Sequence, residues 1–248
     1  MHTATYYIDL LLSGITVGSL YALIAIGYTM VYGILRLINF AHGDIFMMSG
    51  FFMIYVSATL PMAVSIPVVL LMTVLLGVLI ERAAYKPLRS APRMSVMISA
   101  IGVSYLLQNL ATYITGGLAR PYPEISFLKK SFAVGSLNIK IITLLTPVLT
   151  ILLVIALVIF IKHTKTGMAM RAVSKDFDTA RLMGIKVNSV ITVTFIIGSF
   201  LAGVGSILYF TNYGQVSPTI GAMPGLKAFV AAVFGGIGSI PVSYTHLR

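Results

Sequence analysis

The chain has 248 residues, of which 58% are apolar and only 9% charged, with a formal net charge of +11 and a mean hydropathy of +0.99. A soluble domain carries about 25% charged residues, so this composition excludes one and marks a polytopic membrane protein. The basic residues fall in short gaps between apolar runs, the positive-inside pattern, and no nucleic acid partner is expected.

A run of about 20 apolar residues is needed to cross about 30 Å of hydrocarbon. The first run is Leu10 to Leu35, with Gly14, Gly18 and Gly27 along it and Tyr28 and Tyr32 towards its end. No basic segment and cleavage site mark it as a removable signal, so it is expected to stay as a transmembrane helix. Leu37 to Leu60 follows, and its first third carries Asn39, His42 and Asp44 at a depth where polar groups usually mean function. Gly43 between them makes a continuous helix less favourable there. Met62 to Ile80 is the third run, interrupted by Pro67, and the charged, proline-rich stretch from Glu81 to Arg93 reads as a loop.

Met94 to Gly117 is the fourth run, with Gln108 and Asn109 in its second half, and the polar connection Leu118 to Lys140 leads to a fifth at Ile141 to Ile161. Lys162 to Asn188 is the longest polar segment. The sixth run, Ser189 to Asn212, is dense in small residues, and a Gly/Pro-containing turn precedes a seventh from Leu226 to Pro241. The expected fold is therefore all-α: a polytopic helical membrane protein of about seven apolar spans, the second broken near Asn39 to Asp44. Placing 81 to 93 and 162 to 188 on the cytoplasmic side puts eleven basic residues there, counting Arg36, against four outside, which sets the N-terminus outside. Residues 1–241 read as one transmembrane domain. Val242 to Arg248 has no turn or anchor logic and reads as foreign sequence after a truncation.

The spacing of Asn39, His42 and Asp44 places the first two on one helical face and Asp44 away from them. A structural reading has Asn39 capping a helix that starts at Phe40, with Asp44 near its positive dipole end. A functional reading has a broken helix lining a translocation path, which Gln108 and Asn109 would also face. One histidine and one carboxylate are too few to hold a metal, and the chain has no cysteine to add. Around Met168 to Ile185, apolar residues at helical spacing among basic ones form a short amphipathic element, stopped by Gly184. It either lies on anionic lipid or docks a cytosolic partner. The small residues from Gly198 to Ser206, and Gly14 with Gly18, read as close helix packing. No phosphate-cradling loop, nucleophile elbow or zinc-protease pair is present, and Asp44 is the one acid placed within a span, which favours a transport subunit powered by another protein.

The run Gly18 to Asp44 (GSLYALIAIGYTMVYGILRLINFAHGD) resembles the LivH-like membrane subunits of branched-chain amino acid ABC importers. So do Glu81 to Arg89, Ile101 to Ser104 with Leu107 to Asn109, and Phe234 to Ser239. The resemblance implies a permease domain that pairs with a second permease subunit, as a homo- or heterodimer, with two cytosolic ATPases and with a periplasmic solute-binding protein. ATP and Mg would sit on the partner subunits, and this chain would hold no cofactor and catalyse no reaction. It implies a multi-pass protein of the bacterial inner membrane. Asp178, Thr179, Ala180 and Gly184 are similar to the Glu-Ala-Ala-x-x-x-Gly coupling loop of bacterial importers, with Asp for Glu and Thr for the first Ala. Alternatives are a permease for urea, short amides or another small neutral solute, and an ion-coupled transporter or channel using Asp44 and His42.

Overall fold

The computed structural model describes residues 2–37, 39–89, 91–134 and 137–235. The end of the seventh apolar run and the stretch 242–248 lie outside the described residues. Helix α1 (His2–Leu35) is followed by α2 (His42–Ser57), α3 (Met62–Ile80), a π-helical turn (Glu81–Tyr85) and α4 (Arg93–Thr115). The connection beyond α4 holds β1 (Arg120–Pro121), α5 (Ser126–Lys129), β2 (Ser131–Val134) and β3 (Leu137–Lys140). Then come α6 (Ile141–His163), α7 (Lys165–Lys175), α8 (Phe177–Leu182), α9 (Val187–Tyr213), β4 (Gln215–Val216) and α10 (Ala222–Phe234).

The helical membrane fold stands, while the count of spans changes. Among the described residues five helices are long and apolar enough to cross: α1, α3 with its π-turn, α4, α6 and α9. The second run yields the 16 residues of α2, about 24 Å of helix, and the described part of the seventh belongs to the 13-residue α10. Helix α2 is buried against α9 and α3, while α10 lies on α1 with Met223, Leu226 and Phe234 exposed. The reason is visible in the chain path. Helix α2 starts beside Gly27, eight residues before the end of α1 and so about 12 Å in from that end. The connection between the two helices, in which Leu37, Asn39, Phe40 and Ala41 are outside any helix, makes that climb.

Helix α9 is the centre, packed on α1, α2 and α3. Its small residues allow this, because without a hydrophobic drive helices associate in lipid through close packing. Gly198 meets Gly27 and Val31, Gly203 meets Leu70 and Thr73, and Ser199 fills the notch left by Gly77. Gly14 and Gly18 behave differently from the packing expectation: among the described residues no atom lies within 4 Å of where a Cβ on either would stand. Helices α3, α4 and α6 turn Leu75, Leu106 and Leu152 outward, an apolar surface suited to lipid or to another subunit.

Two further expectations change. Pro67 lies within α3 without ending it, as neighbouring groups in a bundle can satisfy the freed carbonyl. The segment after Ile80 continues as the π-helical turn, with Glu81 buried, because Arg89 folds back and pairs with its carboxylate. At one end of the bundle lie Arg36, the π-turn, α7 and α8, joined by a bond from Arg36 to the Ser174 carbonyl (3.3 Å). At the other, β1 pairs antiparallel with β4, setting Arg120 opposite Val216, and β2 and β3 form a hairpin.

Candidate translocation cavity and coupling element

Helix α1 stops because Arg36 adopts a left-handed conformation, φ 52°, while its amide still bonds to the Tyr32 carbonyl (2.7 Å). The chain re-enters helix at His42, with Ala41 as the N-cap residue and no side chain capping it. Asn39 therefore does not cap α2. Its Oδ1 instead accepts a hydrogen bond from the Tyr85 hydroxyl (2.8 Å), tying the break to the π-turn. Gly43 sits inside the helix rather than breaking it, since the break falls at 36–41.

His42 is fully enclosed between α1 and α9. Its ring lies edge-on to Tyr28 at 4.8 Å and occupies the notch at Gly27, where a Cβ would fall 2.3 Å from Nε2. That position makes it a packing residue. Asp44 is in the first turn of α2, where the helix dipole favours a carboxylate. Its Oδ1 accepts from Gln108 Nε2 (3.0 Å), and the same nitrogen donates to Ser104 Oγ one turn earlier on α4 (3.2 Å).

Asp44, Ser104 and Gln108 form the polar wall of a cavity of about 310 Å³. Phe40, Ile101, Leu226 and Phe229 line it with apolar surface, Tyr28 and Tyr105 add two phenol rings, and glycines Gly43, Gly221 and Gly225 bring α2 and α10 together at its edge. Small-molecule sites are concave, mostly apolar and carry a few converging polar groups, from about 300 Å³ upwards. This cavity fits that description. Of the residues read from sequence as lining a path, Gly43, Asp44 and Gln108 meet here. Asn39 and His42 pack elsewhere, and Asn109 points outward, donating to the Tyr105 carbonyl (2.8 Å). Ser104 was not singled out as a path residue, although its position four residues before Gln108 was the available signal. Phe229 and the glycines of 221–225 had none, because only the return of the chain after α9 brings them in. Among the described residues no group of three metal-binding side chains occurs.

The amphipathic segment resolves into α7 and α8. Met170, Val173 and Ala180 face inward and are buried, so its apolar face is largely used by the chain itself. Leu182 and Met183 stand 87% and 78% exposed at the tip of α8. Gly184, φ 79°, ends α8, with its amide bonded to the Arg181 carbonyl (2.9 Å) and the Ile185 amide to the Ala180 carbonyl (3.0 Å). This is the left-handed glycine stop expected from sequence. Asp178 is exposed and lies 3.6 Å from Arg181. Asp176, not Asp178, is the N-cap of α8.

The Thr179 hydroxyl and the Asp178 amide donate to the Asp176 carboxylate and hold it below the usual carboxylate range. A lowered folded value means the cap's contribution is complete above the ordinary carboxylate value, about 3.9. It is lost as pH falls through the lowered one. Amide exchange at Asp178 and Thr179 is expected to stay protected from neutral pH to about pH 5 and to speed up only in stronger acid. Exchange that accelerates near pH 6 would contradict this.

Behind α8, Arg89 donates to both Glu81 and Asn188, and Thr192 Oγ1 donates to the other Glu81 oxygen (3.2 Å). This network joins the π-turn to the start of α9.

A family profile described as branched-chain amino acid transport system, permease component, matches residues 10–244. The high-affinity branched-chain amino acid transport system permease protein BraD of Pseudomonas aeruginosa is 41% identical over 95% of this chain and 81% of its own length. The corresponding permease protein LivH of Escherichia coli K12 is 40% identical with the same coverage. The fructose import permease protein FruG of Bifidobacterium longum is 27% identical over 65% of this chain and 46% of its own length. No solved structure matches the chain.

Proposed function

We propose, for a chain that belongs to the permease-component family of branched-chain amino acid transport systems, that it is the membrane-spanning subunit of an ATP-driven importer. Its solutes are leucine, isoleucine and valine, delivered by a periplasmic binding protein. The observation that carries this reading is the cavity at the start of α2, apolar on most sides and polar on one. An uncharged, branched side chain suits the apolar walls. A second permease subunit covers the open side, and the pair sits in the bacterial inner membrane with the N-terminus outside.

Two cytosolic ATPases supply the energy and hold the ATP and Mg. The element from Asp178 to Gly184 docks on one of them. Support comes from the exposed Leu182 and Met183 at its tip and from the glycine that fixes the turn behind it. An ion-coupled carrier would need a relay of titratable groups, and His42 packs away from the cavity that Asp44 lines.

Proteoliposomes holding this chain with its partner subunits are expected to accumulate labelled leucine only with internal ATP and loaded binding protein. Uptake by the chain alone on an ion gradient would overturn the assignment. Gly184→Val forces a β-branched residue into left-handed backbone without meeting any neighbour. It is expected to leave assembly intact and to lower uptake per ATP hydrolysed about tenfold or more, since the strain of about 1–2 kcal/mol reshapes the tip alone. Unchanged uptake per ATP would remove the docking role.

A further inference from the structure

We propose that Asp44 receives the α-ammonium group of the amino acid in transit, while Gln108 holds the carboxylate in place. The proposal rests on the permease reading and adds which end of the solute the cavity reads.

Asp44 is only 2% exposed, in a helix that begins about 12 Å in from the end of the spanning helix α1. A carboxylate there is costly unless a cation or several donors meet it. Its neutral donors are the Gln108 amide and the Ser104 hydroxyl, whose oxygen also accepts from that amide. Among the described residues no lysine, arginine or histidine forms an ion pair with it. The dipole of α2 offsets part of the charge, and the rest faces a cavity whose walls offer no cation.

A solute that brings its own cation completes this site. An amino acid carries an ammonium group beside an apolar side chain, and the cavity places a carboxylate beside Phe40, Ile101, Leu226 and Phe229. Urea and short amides bring no cation and leave the carboxylate unpaired. The same arrangement explains why Gln108 bonds Ser104 as well. Anchored at its nitrogen by two acceptors, the amide holds Asp44 Oδ1 towards α4 and keeps the carboxylate from turning. Gln108 is thus a positioning residue, and Asp44 the group that meets solute.

The test is binding of tritiated L-leucine to the purified complex of this chain with its own partner subunits, without binding protein. Two competitors separate the ends of the solute: 3-methylbutylamine has the ammonium and no carboxylate, and 4-methylpentanoate has the reverse. The amine is expected to displace leucine and the acid is not. Asp44→Asn is expected to weaken leucine binding about ten- to hundredfold, the range for losing a bond to a charged group, and to abolish competition by the amine. Asp44→Glu keeps the charge and is expected to keep the amine's advantage.

A purely structural Asp44 would change the melting temperature of the complex and leave the competitor pattern as it was. Competition by the acid equal to that by the amine, or no leucine binding to the wild-type complex, overturns the proposal. Should Asp44→Asn fail to assemble, the wild-type competition decides alone. The permease reading fails on a different result, the absence of ATP-dependent leucine uptake with loaded binding protein, so the two are separable.

Discussion

Replacing Gly221 with valine is expected to prevent the bundle from closing, and to lower the thermal midpoint of the detergent-solubilised subunit more than any other single glycine change near the cavity. A Cβ at Gly221 would stand 2.3 Å from the Gly43 carbonyl oxygen and 2.8 Å from its carbonyl carbon. A Cβ at Gly43 would stand 2.5 Å from the Gly221 oxygen. These are backbone atoms, so no rotamer change relieves the clash, and α2 must move away from the start of α10. Overpacking costs about 1–3 kcal/mol even where side chains can shift, and this contact belongs at or above the top of that range. Gly221→Ala meets the same oxygen and is expected to lose nearly as much. Gly205→Ala is the control, because its Cβ would find Ile24 and Leu23 at 3.8 Å, an ordinary contact. A Gly221→Val protein that melts with the wild type would mean that α2 and α10 do not meet through these glycines.

Arg89→Ala is expected to have the second large effect. Glu81 is 1% exposed and its charge is met by Arg89, which also reaches Asn188 on α9. Removing the guanidinium leaves a buried carboxylate with the Thr192 hydroxyl still donating to it, and breaking a buried pair from one side costs about 3–5 kcal/mol. The double substitution Glu81→Gln with Arg89→Ala removes both charges and is expected to recover much of the loss. A thermal melt of the single and double variants gives the comparison. A double variant as unstable as Arg89→Ala alone would mean that the pair contributes by shape rather than charge.

The membrane fold was legible because spans are written in composition and length, which do not depend on tertiary contacts. Met62 to Ile80 was placed to the residue at both ends, and Gly184 was read correctly as a stop since only backbone conformation was at issue. The difficulties came where the partner lies far along the chain. Asn39 was read as a helix cap, the local role its residue type favours, whereas its partner Tyr85 is 46 residues away. Glu81 and Arg89 looked like surface charge, as an acid and a base eight apart do when the turn between them is unknown. Asp44 and Gln108 both belong to the candidate path expected from sequence, but their direct contact depends on α4 lying against α2. Gly14 and Gly18 show the reverse error: a spacing that permits close packing does not supply a neighbour.

The segment between Arg36 and Asp44 has a mechanical consequence. At its near end Arg36 bonds to Ser174, next to the helix α8 that is proposed to meet the ATPase. At its far end is the carboxylate of the cavity. The connection from Arg36 to His42 is six steps long and reaches about 20 Å when fully extended, against a climb of about 12 Å. With Arg36 held on Ser174, a displacement of α7 and α8 beyond the roughly 8 Å of slack pulls on the first turn of α2.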